Sequence, residues 1–160
     1  MAEFFLEYKA FILFIHVISA IVWVGGMIAM RYAAHPSFML VESPAKRLEH
    51  ISMALKRLFL IVLPFVVLLF VSAFIMIKAY TLSSSEYSVL GHAKEAIWAV
   101  MFINLIVMIK RRNRADKALK DGNMLLASSQ LGFIGKYQVP VNIFLGIVAV
   151  FLGSYLSSIF

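Results

Sequence analysis

The sequence predicts an all-α membrane protein, a four-transmembrane-helix bundle with both termini on the outer side, and three observations lead there. First, 62% of the 160 residues are hydrophobic and only 14% are charged, with a mean hydropathy of +0.92. A soluble domain holds roughly 45–50% apolar and about 25% charged residues. Second, four apolar runs approach the ~20 residues needed to cross about 30 Å of hydrocarbon. Third, the basic residues collect in alternate connections, as positive-inside orientation requires. The reading is a single membrane domain over 1–160, with spans at about 10–32, 58–77, 92–109 and 139–160.

The first span, from Ala10 to Tyr32, carries no formal charge before Arg31. Glu3 and Glu7 precede it where a signal peptide would have a basic segment, so it reads as a retained helix. Pro36 is expected to end it, because proline lacks an N–H and restricts the residue before it. Ser43-Pro44 reads as an N-cap with proline at the first helical position. A helix then runs through Lys46–Arg57 into the second span, with a kink expected at Pro64. Thr81 to Ser88, containing Ser83-Ser84-Ser85, reads as an outer loop. The third span is clean only from Ala96 to Ile109 and reaches His92 by admitting Lys94 and Glu95. Residues Lys110 to Gln130 read as a basic helix continuing it, suited to anionic headgroups.

Loops 33–57 and 110–138 are assigned to the cytoplasm. Arg31, Lys46, Arg47, Lys56, Arg57, Lys110, Arg111, Arg112, Arg114, Lys117, Lys120 and Lys136 lie at or within them, against Lys9, Lys78 and Lys94 outside. This distribution accounts for the net charge of +7 without nucleic acid. The absence of cysteine excludes thiolate metal sites, iron–sulfur clusters and a Cys nucleophile. No glycine-rich phosphate loop, paired intramembrane carboxylates or Ser-His-acid set occurs in the spans. Redox chemistry would therefore come from a bound cofactor.

An ionisable residue inside a span is a functional-site hypothesis by default. His16 lies about 9 Å into the first span at 1.5 Å per residue. Ser19, Ala20, Trp23, Met27 and Met30 share its helical side, with Gly25-Gly26 nearby. That face could admit a large flat ligand, or His16 could bond a neighbouring helix. His92 starts the third span on the same membrane side, and two imidazoles on different helices are what axial ligation of b-type haem needs. Lys94 could pair with a haem propionate or form an interfacial pair with Glu95. His35, Arg31 and His50 belong to the inner side, about 28 Å from His16 in the case of His35, and form a separate candidate cluster for an anionic group or second cofactor. Met27 and Met30 raise Cu(I), since thioethers suit it, although methionine also fills cores. Asn104 and Asn142 read as interhelical hydrogen-bond formers, and Gly146 and Gly153 as a thin stripe for close helix contact.

Ile15-His16-Val17-Ile18 followed by Val22-Trp23-Val24-Gly25-Gly26 resembles the first-helix signature of the HemJ/CopD-like membrane families. Arg31-Tyr32 with His35, Lys56-Arg57-Leu58 with Pro64, and Gly91-His92-Ala93-Lys94 are similar to the later motifs of HemJ-type proteins. Tyr137-Gln138-Val139-Pro140 departs from their Asn-Glu-x-Pro. The resemblance implies haem b, with His16 and His92 as ligands of the haem iron and Trp23, Arg31 and Lys94 at the cofactor. It also implies a protoporphyrinogen-oxidase-like oxidoreductase acting on a porphyrinogen; an integral membrane protein, expected in the inner membrane, would pass the electrons to a quinone or another membrane redox carrier, an expectation from location alone. The CopD-like branch implies copper transport or resistance instead. Membrane lipid is the general partner, and self-association into a homo-oligomer stays open.

Overall fold

The computed structural model describes residues 2–79 and 88–158. Four long helices fill it: α1 (Phe4–Met39), α2 (Pro44–Ala79), α3 (Ser88–Lys120) and α4 (Met124–Ser157). Each helix packs on the next, and the middle of α1 meets α4, which closes the ring. α2 also touches the start of α4. The buried seam holds Trp23, Met27, Val62, Val66, Leu105, Met108 and Ile134. Phe11, Phe14, Leu60, Val67, Ile103, Phe144 and Phe151 lie on the outside of the same helices. A helix that is apolar on both its inner and outer faces needs hydrocarbon around it. The chain is an all-α, four-helix integral membrane protein.

Helix boundaries depart from the expected spans because backbone groups near the membrane surface are satisfied most cheaply by continuing the helix. The connections 33–57 and 110–138 are mostly helical, as expected over Lys46–Arg57 and for most of Lys110–Gln130, and helix extends beyond those stretches as well. The turns are confined to 40–43 and 121–123. Pro36 does not end α1. It sits at the start of the segment His35–Met39, just after a wide π turn over Met30–Ala34. There the altered register relieves the demand for its missing N–H. Pro64 lies inside α2, which continues unbroken through it. The expected outer loop lies, apart from Ser88, outside the described residues.

The turns at 40–43 and 121–123 are held by specific polar contacts. The Ser43 Oγ accepts from the Lys46 N–H at 3.5 Å, as its N-cap position predicts. Arg47 donates from Nε and Nη2 to the Val41 carbonyl at 3.0 and 2.8 Å, closing the turn. The basic helix expected over 110–130 breaks at Gly122, whose φ of 72° lies in the left-handed region. Asn123 then caps α4 by accepting from the Leu126 N–H at 3.0 Å. Two residues of the expected lipid collar face inward instead. Arg112 is buried and donates to the Ser52 carbonyl at 3.0 Å and to Asp116 at 3.2 Å. Arg111 donates to Gln130 at 3.0 Å with its guanidinium 4.0 Å over the Phe133 ring.

Mid-bundle, Asn104 donates to the Gln138 carbonyl at 2.9 Å and to Asn142 Oδ1 at 2.7 Å. Gln138 returns a bond to Asn104 Oδ1 at 2.9 Å. Asn104 and Asn142 thus bridge helices as their position in apolar spans predicts. Gln138 joins them at the end of a second wide turn, Ile134–Gln138, which the sequence does not announce. Asn104→Leu should strip partners from Gln138 and Asn142 together. We expect a loss of about 1–2 kcal/mol, at the upper end of interhelical hydrogen bonds measured in bilayers, read by reversible unfolding in mixed micelles.

Candidate functional site

The site is built outward from His16. Its Nδ1 lies 3.0 Å from the hydroxyl of Ser72 on α2. Ser72 Oγ is also 2.8 Å from the Leu68 carbonyl and 3.0 Å from the Leu69 carbonyl, one turn back on its own helix. Carbonyl oxygens can only accept, so the single hydroxyl proton of Ser72 is directed at them. Ser72 therefore accepts from His16, and the imidazole carries its proton on Nδ1. The remaining nitrogen, Nε2, keeps its lone pair. A histidine held in this way through its other ring N–H has the usual supporting arrangement of a metal-ligating imidazole. Ser19, fully buried one turn later, donates to the Ile15 carbonyl at 2.6 Å and presents no competing donor to the ring.

Lys94 completes the cluster from α3. Its side chain is half-buried, and its charge is close enough to act on the His16 ring. Space for it comes from Gly153 on α4: a Cβ placed there would lie 3.1 Å from Lys94 Nζ. Each of the four helices thus contributes one residue: His16, Ser72, Lys94 and Gly153. The glycine anticipated as a packing stripe is the seat of an ammonium.

His92 is placed elsewhere. It is exposed, with Nδ1 3.2 Å from Glu95 on the same helix. Residues two apart on a helix project about 200° apart, so when Lys94 faces the bundle, His92 faces outward. Trp23 is 1% exposed and belongs to the packed core, as do Met27 and Met30. The helical side expected to admit a flat ligand is thus packed over these residues, and their thioethers serve as filling. Arg31 and His35 line a different cavity at the opposite end of the bundle, with Arg31 about 22 Å along the helix from His16. His50 is exposed and stacks on Phe38 with ring centroids 6.4 Å apart. Among the described residues no group of three or more His, Asp and Glu side chains converges on a metal position.

Ser72 and Gly153 were not singled out as site residues by the sequence. A serine midway along an otherwise apolar span was the available signal for the first; the second had none, because only packing shows what occupies the missing side chain. Trp98 was also missed. It lies between Phe70 and Phe102, with centroids 4.9 and 5.1 Å away. Around His16 the fold brings together an imidazole, a serine hydroxyl and an ammonium; His92 is not brought to the same place. No family model, curated protein or solved structure matches the chain.

Proposed function

We propose that this protein is a haem b-binding redox protein of the inner membrane, with His16 Nε2 as its iron ligand. The observation that carries the reading is the Ser72 contact, which favours the tautomer with the proton on Nδ1 and the Nε2 lone pair free. Bound haem would supply one-electron redox chemistry that no side chain in the spans can provide. Ser72 orients the ring and stabilises its N–H, and Lys94 offers a positive charge for a propionate carboxylate. The positive-inside rule, applied to the basic connections, supports a position toward the outer leaflet, where the cluster would exchange electrons with a quinone or oxidise a porphyrinogen in the manner of HemJ-type proteins. The reading treats copper carriage as the less supported branch, since Met27 and Met30 serve as core packing.

The test is the absorption spectrum of protein purified from haem-replete cells, oxidised and then reduced with dithionite. A Soret band that shifts on reduction is the expected result. Protein that stays colourless when offered haemin, or that instead retains copper, overturns the proposal. Ser72→Ala should keep the band but weaken haem retention by about 10–100-fold, the usual effect of removing a ligand's hydrogen-bond partner, measured by haem transfer to apomyoglobin.

A further inference from the structure

Two glycines on one face of α4, Gly146 and Gly153, serve different neighbours. A glycine inside a helix weakens it relative to alanine, so each needs a reason. At Gly146 the reason is packing, because a Cβ would press on Val24 of α1. At Gly153 no apolar side chain and no other helix backbone comes near. Apart from its own helix, the only atoms within 4 Å of a Cβ placed there, among the described residues, are Lys94 Nζ at 3.1 Å and Lys94 Cε at 3.9 Å. Nothing in the contact of α3 with α4 asks for the missing side chain except the tip of one lysine.

Lys94 stands where a core side chain is expected. Trp98, Met101 and Leu105 follow it at helical spacing on the face of α3 that turns into the bundle, and Met101 and Leu105 are buried. A lysine near the end of a span ordinarily runs its stem along the helix and sets its ammonium in interfacial water. Here the ammonium is laid across to α4, half-buried and beside His16. An ammonium has three N–H donors and no acceptor of its own. Among the described residues Lys94 has neither a hydrogen-bond acceptor nor a carboxylate to pair with. Glu95, the next residue, is engaged with His92 on the exposed side of the helix. A cation withdrawn from water without an anion is costly, and an oxygen anion brought by a ligand would relieve it.

We infer that Gly153 is a positioning residue: by withholding a side chain it seats the Lys94 ammonium inside the bundle, where the ammonium selects a ligand that carries a carboxylate over the same ligand as a neutral ester. The inference rests on reading His16 and Lys94 as one site, and extends that reading from the iron to the edge of the ligand. A side chain at 153 would turn the flexible lysine stem back toward the membrane surface, where its charge meets water instead.

The test uses full-length protein in neutral detergent, with metal-free protoporphyrin IX and its dimethyl ester as probes, so that iron ligation by His16 does not enter. Each is titrated by fluorescence, and the readout is the ratio of the two dissociation constants. Comparing that ratio between variants cancels any difference in detergent partitioning. The unsubstituted chain should favour the diacid by about tenfold or more, as expected for a charge pair withdrawn from water. Lys94→Met should bring the ratio close to one, Gly153→Val should do the same, and the double variant should add nothing further. Gly153→Ala, whose Cβ meets only the end of a flexible chain, should fall between them. It preserves the test if circular dichroism shows that Gly153→Val does not fold. Gly25→Ala, with open space at its Cβ, should keep the full preference. A preference lost in Lys94→Met but kept in Gly153→Val and Gly153→Ala removes Gly153 from this role. A preference kept in Lys94→Met, equal affinity of the unsubstituted chain for diacid and ester, or binding of neither overturns the inference as a whole. A protein that takes up no haem yet prefers the diacid loses the haem reading and keeps this inference; a haem-containing protein without the preference does the reverse.

Discussion

Replacing His16 by alanine should abolish the Soret absorbance of the purified protein, lowering haem content at least tenfold while leaving the bundle folded. The two parts of this outcome have different origins. The His16–Ser72 hydrogen bond joins α1 to α2, but one interhelical hydrogen bond in a bilayer contributes only about 0.6–2 kcal/mol. The core of Trp23, Val62, Leu105 and Met108 does not depend on it. If His16 is the iron ligand, as proposed, its loss by contrast removes the bond that would hold the haem. Haem content by the pyridine haemochrome spectrum, alongside circular dichroism, reads both. If His16→Ala shows an unaltered spectrum and lower stability, the histidine is a tie between helices and the haem assignment fails.

Gly146→Ala should have the largest effect on stability among small substitutions. A Cβ there would lie 2.5 Å from Val24 Cγ2 and 3.2 Å from Val24 Cγ1, closer than atoms in contact can stand. Val24 is β-branched, so its χ1 is stiff and it cannot turn aside freely. It also lies in the wide turn Ile21–Gly25, directly after the buried Trp23. Either α4 moves away from α1 or the turn distorts, and overpacking of this kind costs about 1–3 kcal/mol. Reversible unfolding in mixed micelles should show that loss. Gly25→Ala is the matched control, because a Cβ at Gly25 meets nothing within 4 Å. Equal destabilisation by both substitutions would attribute the effect to backbone propensity instead of to the α1–α4 contact.

The sequence read well wherever the solvent decides the outcome. Four spans, the helical approach through Lys46–Arg57 and the capping role of Ser43 all follow from what hydrocarbon and water each demand of a backbone. Asn104 and Asn142 were legible for a related reason, since an amide in an apolar span must find a partner. Pro36 was misread because its effect depends on the register of the turn before it, and no local residue pattern announces a π turn. Arg111 and Arg112 were misread as lipid-facing because charge alone does not say whether an acceptor such as the Ser52 carbonyl is waiting inside.

The histidines show the same division. Placing His16 in oil needed only its position in the run from Ala10 onward, and that made it the leading candidate. Choosing its companion needed direction as well as depth. His92 starts the third span on the same membrane side but nearer the interface than His16, and it is Lys94, two residues on, that has the inward direction and finds its space over Gly153.

By itself the amino-acid order determined that the chain crosses a membrane four times and which residues carry charge into that setting, because both follow from transfer between water and hydrocarbon, which acts on each segment separately. Only the tertiary structure decided which polar groups from different helices meet: Ser72 with His16, and Lys94 above Gly153. Those meetings depend on helix rotation, fixed by wide turns and by close contacts such as Val24 with Gly146, and rotation is a property of the packed bundle as a whole.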